Sequence, residues 1–190
     1  IEEQGKLTPE LKAQIVAAET QVLVDDLYRP YRPRRRTRAT IAKEKGLEPL
    51  AVLISVQNSK EPMEKEAEKY VSEEKGVKNV QEAIDGAKDI LAENISDEAD
   101  YRKRIRDLTF KKGTLVSAAK DEKAESVYEM YYDFTEAVSK VAGHRVLALN
   151  RGEKEKFLSV KIEAPEEEIL RYLEKKVIRR DNPYTTPVLN

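Results

Sequence analysis

Hydrophobic period stays helical along this chain until Gly113, where it first changes, and that change decides which folds are open to it. Up to Lys112 apolar residues recur every three or four positions, the spacing of amphipathic helices. Leu11, Ile15, Ala18 and Val22 form the first such stripe. It follows Thr8-Pro9-Glu10, which combines a capping hydroxyl, a proline at the first helical position and an early acid. A second short helix is expected from about Thr20 to Tyr28, either separate from the first or continuous with it. Thr37 can cap a third helix and Gly46 can end it in the left-handed conformation; Pro49 sits early in a fourth that carries Leu50, Val52, Leu53 and Ile54. The charged pattern from Pro62 to Gly76 predicts another helix. Asn79-Val80-Gln81-Glu82 has the spacing of a capping box, with Ala83, Ile84, Ala87, Ile90 and Leu91 as the buried stripe behind it. Asp97 is expected to open a helix with Tyr101, Ile105 and Leu108 on one face, closed by Gly113.

Beyond Gly113 the chain asks for extended backbone. Thr114–Ala118 reads as a strand, and in Phe157–Ala164 the residues Leu158, Val160 and Ile162 alternate with Ser159, Lys161 and Glu163. A lone strand leaves its backbone groups unpaired, so the two segments are expected to pair with each other. Helical segments are expected between them, at Glu125–Phe134, Glu136–Ala142 and His144–Glu153, and a last helix runs from Pro165 through Leu170, Leu173 and Val177. The predicted fold class is therefore mainly α. Residues 1–112 form a multi-helix N-terminal part, residues 113–179 combine helices with a small two-stranded sheet, and residues 180–190 form a linker to a downstream domain.

Composition narrows function. Hydrophobic residues are 39% of the chain, enough for a core, and charged residues are 37%, above the usual quarter, which suits solvated helices. Thirty-five basic residues balance thirty-six acidic ones, so any nucleic-acid contact must come from a local patch. The absence of cysteine excludes disulfides, thiolate metal sites and a cysteine nucleophile. No apolar run approaches the roughly 20 residues that span a bilayer, and no secretory pattern precedes the first helix, so a cytoplasmic setting without membrane contact is expected. The opening "IEEQGKL" reads like the tail of a helix already under way, and the chain is read as a fragment of a longer protein.

The local patch is easy to find. Arg29, Arg32, Arg34, Arg35, Arg36 and Arg38 place six guanidiniums within ten residues, and no acid intervenes between Asp26 and Glu44. Pro30 and Pro33 forbid a regular helix there and favour an extended strap. Two readings fit these residues. In one, the arginine forks contact phosphate oxygens while Tyr28 and Tyr31 stack on bases. In the other, the tyrosines pack the strap on neighbouring helices and the arginines pair with surface carboxylates or bridge domains.

The strap also carries a resemblance. "DDLYRPYRPRRRTRATIAKEKGLEPLA" (Asp25 to Ala51), "YVSEEKGVKNVQEAIDGAKDILAENIS" (Tyr70 to Ser96) and "HRVLALNRGEKE" (His144 to Glu155) occur in that order. Together they resemble the N-terminal region of the Tex family of transcription accessory proteins. The resemblance touches nearly the whole chain. It implies a helical platform in a nucleic-acid-binding protein that carries its RNase H-like, helix-hairpin-helix and OB-fold RNA-binding domains downstream.

Signals for catalysis are weak. His144 is the only histidine and stands just before an apolar helical stretch, which suits a cap or packing role better than a metal or a base. Glu166–Glu168 at the start of a helix is explained by the macrodipole. Tyr128, Tyr131, Tyr132 and Phe134 have the spacing of core packing, the Asn94-Ile95-Ser96 sequon reads as chance, and no phosphate-binding loop, dinucleotide fingerprint or nucleophile elbow occurs. The expectation is a non-enzymatic scaffold without cofactor. It associates with RNA or DNA through the longer protein, and RNA polymerase is a possible partner. The alternative is an interdomain or protein–protein module that makes no direct nucleic-acid contact.

Overall fold

Four side chains cap helix starts, and three of them, Thr8, Thr37 and Asn79, stand where the sequence placed caps. Thr8 Oγ1 accepts from the Leu11 amide at 3.2 Å, Thr20 Oγ1 from Leu23 at 3.4 Å, Thr37 Oγ1 from Thr40 at 3.1 Å and Asn79 Oδ1 from Glu82 at 2.9 Å. The computed structural model describes residues 1–33 and 35–190. Its elements are α1 (Pro9–Val16), α2 (Gln21–Tyr28), α3 (Arg38–Glu44), α4 (Glu48–Val56), α5 (Met63–Glu68), α6 (Val80–Asp97), α7 (Ala99–Lys112), β1 (Thr114–Ala119), β2 (Asp133–Ala137), α8 (Gly143–Lys154), β3 (Leu158–Glu163), α9 (Glu166–Val177) and α10 (Thr186–Leu189). They divide into two units, Ile1–Arg102 with Arg171–Asn190, and Lys103–Leu170, so that α7 and α9 carry the chain from one to the other.

In the first unit α6 is the spine. Its Ala83, Ile84, Ala87, Ile90 and Leu91 are buried against Ala39 and Ala42 of α3, Leu50, Ala51 and Ile54 of α4, and Met63 and Ala67 of α5. Burying each of the large aliphatic side chains contributes roughly 1.5–3 kcal/mol. Close approach of α3 to α6 depends on small residues: a Cβ on Gly86 would stand 2.3 Å from Leu47 Cδ1 and 3.3 Å from Ala42 Cβ. Gly46, at φ +78°, ends α3, with its amide on Lys43 O and the Leu47 amide on Ala42 O, the paired bonds of a left-handed helix stop.

Three helix expectations change here. The helix expected over Pro62–Gly76 stops at Glu68. The chain turns instead through left-handed Gly76 and a Ser72–Val77 bridge, which delivers Val77 fully buried into the core. Asp97 does not open a helix but ends α6. The opening residues make a single turn closed at left-handed Gly5, with no helix through them. The last eleven residues, read from the sequence as a linker, include α10, and Tyr184, Val188 and Leu189 pack on the first core.

Gln57 ties that return segment down. It is itself left-handed at φ 57°, its side chain is buried, and its Nε2 donates to Val177 O at 2.6 Å while Oε1 accepts from the Arg179 and Arg180 amides at 2.8 and 3.0 Å. Asn182 adds a second stitch through Nδ2 to Ser59 O at 3.0 Å.

The second unit holds a three-stranded antiparallel sheet in the order β2-β1-β3, and this corrects the two-stranded expectation. β1 pairs β3 with Leu115 opposite Ile162, Ser117 opposite Val160 and Ala119 opposite Leu158, as the alternation required. Its other edge takes β2, with Leu115 opposite Glu136 and Ser117 opposite Phe134. β2 lies in the stretches expected to be helical, Glu125–Phe134 and Glu136–Ala142, where only the single turn Glu129–Tyr131 is helical, of the 3-10 type. The physical reason is that β1 is central and exposes hydrogen-bonding groups on both edges, so it recruits a polar segment with little strand pattern of its own.

Leu115, Leu149, Leu158, Tyr128 and Tyr131 form the core of this unit, which places the tyrosine cluster in packing. Gly152 lets α8 lie on the sheet, since a Cβ there would stand 2.6 Å from Leu158 Cδ1 and 3.1 Å from Tyr128 Cδ1. On the outer strand the Val160 amide donates to Glu153 Oε1 of α8 at 3.3 Å.

Candidate nucleic-acid interface

The strap is laid along one face of α6. Asp89, Glu93 and Asp97 recur at four-residue spacing and therefore lie above one another on that helix. Arg29 Nε meets Asp97 Oδ1 at 3.0 Å, Thr37 Oγ1 donates to Glu93 Oε1 at 3.0 Å and Arg38 Nε meets Asp89 Oδ1 at 3.4 Å. Strap numbering rises as α6 numbering falls, so the strap runs antiparallel to α6. This acidic ladder was not picked out from the sequence, and its connection to the strap is visible only once α6 is placed.

At the start of the strap Asp26 is buried and receives Arg102 Nε at 2.7 Å. Arg29 then turns with Pro30 and Tyr31 through one 3-10 turn before the backbone extends at Arg32. The expected extended strap is thus helical in its first three residues. Gln4 Nε2 donates to Tyr31 O at 3.1 Å. From the sequence, Asp97 had only a helix-start role and Asp26 and Arg102 had no anchoring role, yet these acids and this base anchor the segment.

The arginines divide by task. Arg29 and Arg38 hold α6, and Arg36 pairs with Glu44 at 2.5 Å. Arg32 and Arg35 are exposed and, among the described residues, have no ion pair or hydrogen bond from their side chains. Arg34 lies outside the described residues. Tyr28 is 36% exposed, which leaves part of its ring on the surface, and Tyr31 is half-buried. Surface ion pairs contribute about 0–1 kcal/mol, whereas the Arg29–Asp97 pair has a buried acid, and a buried carboxylate depends more on its cation than an exposed one does.

Elsewhere the chemistry is sparse. His144 is exposed in the first turn of α8, and Glu168 takes Lys112 Nζ at 2.7 Å beside the N-terminus of α9. Burial, then the hydrogen bond and charge of Glu155, raise the Tyr128 phenol above its ordinary value. Among the described residues no three His, Cys, Asp or Glu side chains are grouped to hold a metal, and no helix is long and apolar enough to cross a membrane.

Comparison with known proteins places this architecture. The chain is 50% identical along its whole length to the Bacillus subtilis protein YdcI, of which it covers 27%. It is 37% identical over 84% of its length to the transcriptional accessory protein Tex of Neisseria gonorrhoeae, covering 21% of that protein. Over 85% of its length it is 28% identical to human S1 RNA-binding domain-containing protein 1, covering 17% of it. The chain thus spans about a quarter or less of these relatives. Residues 57–182, from the Gln57 stitch through the whole second unit to Asn182, match the Tex central region, and the chain belongs to the Tex central region-like family.

Proposed function

We propose that this chain is a non-catalytic helical scaffold within a nucleic-acid-binding transcription accessory protein. In this reading the strap is an auxiliary phosphate contact made by Arg32 and Arg35, with Arg34 between them in sequence and Tyr28 available for stacking. The relatives' names support the setting, one being a transcriptional accessory protein and another an S1 RNA-binding domain-containing protein. The observation that carries the reading is the division of labour among the arginines. Arg29, Arg36 and Arg38 are engaged with carboxylates and fix the strap, while Arg32 and Arg35 remain exposed without a partner among the described residues. RNA or DNA, downstream domains of a longer chain and RNA polymerase are the proposed partners, and no cofactor is invoked.

Salt-dependent binding tests this. Duplex DNA and a single-stranded RNA are titrated against the wild type and the Arg32→Ala/Arg35→Ala variant at several salt concentrations. Loss of two phosphate contacts lowers the log–log slope on duplex by about 1.8 and weakens binding on every sequence alike. Equal affinity and slope for the two proteins would refute the strap as a contact.

A second reading, an interdomain or protein-docking module, is favoured by the three arginines already spent on carboxylates of this chain. It predicts no measurable binding to either nucleic acid even at low salt.

A further inference from the structure

Where the return segment meets the C-terminal end of α6, a cavity of about 250 Å³ opens beside Gln57. Leu91, Asn94, Ile95 and Glu98 line it together, because spacings of three, four and seven residues place them on one side of α6 and its end. Arg179 and Leu189 reach it from the return segment. Tyr101, in the first turn of α7, also lines it, and its ring stands edge-to-face with Tyr172 at 6.0 Å. All of these residues belong to the first unit.

The cavity is apolar at depth and polar at its mouth. Leu91 is buried and Ile95 and Leu189 are half-buried, whereas Asn94, Glu98 and Arg179 are exposed. One guanidinium and one carboxylate thus border the same space, yet among the described residues neither has an ion pair. The Asn94 side chain has no hydrogen-bond partner among the described residues either. Arg179 is delivered from a fixed backbone, since its amide donates to Gln57 Oε1 at 2.8 Å. A ligand that fits this lining has an apolar body, an anionic group for the arginine fork, and N–H donors for a carboxylate that only accepts.

We propose that this cavity binds a guanine nucleotide, with the base over Leu91 and Ile95 beside Tyr101, its Watson–Crick edge on Glu98 and its phosphate on Arg179. Guanine is singled out by the carboxylate. It alone among the RNA bases sets two adjacent donors, N1–H and the N2 amino group, on that edge, where one carboxylate accepts both. The Asn94 amide, donor and acceptor at once, is the second polar contact for the base. A free guanine nucleotide and an unstacked guanosine in single-stranded RNA share this chemistry. The second source rests on the nucleic-acid reading above, whereas the cavity does not depend on the strap.

The test follows the Ile95 and Leu189 methyl resonances of the 190-residue chain by NMR. The ligands are guanosine and adenosine 5′-monophosphates and the RNA pentamers UUGUU and UUAUU. The guanine nucleotide should shift both methyls and bind at least about fivefold tighter than the adenine one, the discrimination of one bidentate base contact. Glu98→Gln should remove that preference. Arg179→Gln should weaken both nucleotides about tenfold and keep it. Methyl shifts with UUGUU that persist in the Arg32→Ala/Arg35→Ala variant would assign the site to the strand, and shifts with the free nucleotide alone would assign it to free guanine nucleotides. Pentamers that bind without moving either methyl would leave the strap reading standing and count against the cavity as a strand site. No shift with any of the four ligands, equal affinity for guanine and adenine, or a preference that survives Glu98→Gln would overturn the proposal.

Discussion

Replacing Gln57 with alanine removes three hydrogen bonds from one buried position and leaves Val177 O and the Arg179 and Arg180 amides without their side-chain partner. A net contribution of about 1 kcal/mol per bond puts the expected loss at roughly 2–4 kcal/mol. Two further variants separate the hydrogen bonds from the backbone. Gln57 sits at φ 57° and ψ 37°, a conformation that costs a non-glycine residue about 1–2 kcal/mol. Gln57→Gly loses the same bonds but relieves that strain, so it should be about 1 kcal/mol less damaging than alanine. Gln57→Glu keeps two acceptor contacts yet sets a carboxylate oxygen against the Val177 carbonyl, which Nε2 now approaches at 2.6 Å, so it should be at least as damaging as alanine. Urea unfolding midpoints give the order, and hydrogen exchange at the Arg179 and Arg180 amides gives the location. An alanine variant within about 0.5 kcal/mol of the wild type, or unchanged exchange at those amides, would refute the idea that Gln57 holds the return segment.

Among the described residues Lys156 is the other non-glycine residue with positive φ, at 68°, in the turn that follows α8. Lys156→Gly should raise stability by a few tenths to about 1 kcal/mol, read as a higher urea midpoint, the relief of strain exceeding the added chain entropy of glycine. Gly152→Ala should lower it by about 2 kcal/mol or more, because the new Cβ meets Leu158 at 2.6 and 2.9 Å in a packed core; a midpoint equal to the wild type would show that α8 can move off the sheet. The raised phenol of Tyr128 stabilises the fold fully below pH 10, the ordinary tyrosine value, and that stability declines as pH rises from there through the folded value. Tyr128→Phe should flatten the decline in thermal midpoint above pH 10, and an unchanged slope would remove Tyr128 as its source.

Much of this was legible in advance where one local rule decided the outcome. Thr8, Thr37 and Asn79 cap helices because a hydroxyl or amide oxygen accepts from an amide three residues later. Leu158, Val160 and Ile162 form a strand because their period admits little else. What was lost depended on partners distant in sequence. Nothing in Asp133-Phe134-Thr135-Glu136-Ala137 signals a strand except the free edge of β1, and nothing near Gln57 announces residues more than a hundred positions later. The strap was found from its charge, but the sorting of its arginines required the positions of Asp89 and Asp97 on α6.

The bond from the Val160 amide to Glu153 has a consequence for behaviour in concentrated solution. β3 borders the sheet, and an open border strand offers a template on which a second molecule can stack and begin a fibril. With its amide occupied by a carboxylate of the same chain, Val160 offers an incoming strand one donor fewer. Lys161 and Glu163, paired at 2.6 Å on that strand, place charge beside the gap. Removing the carboxylate with Glu153→Ala would therefore cost little in fold and more in shelf life, seen as faster growth of thioflavin-positive material on agitation.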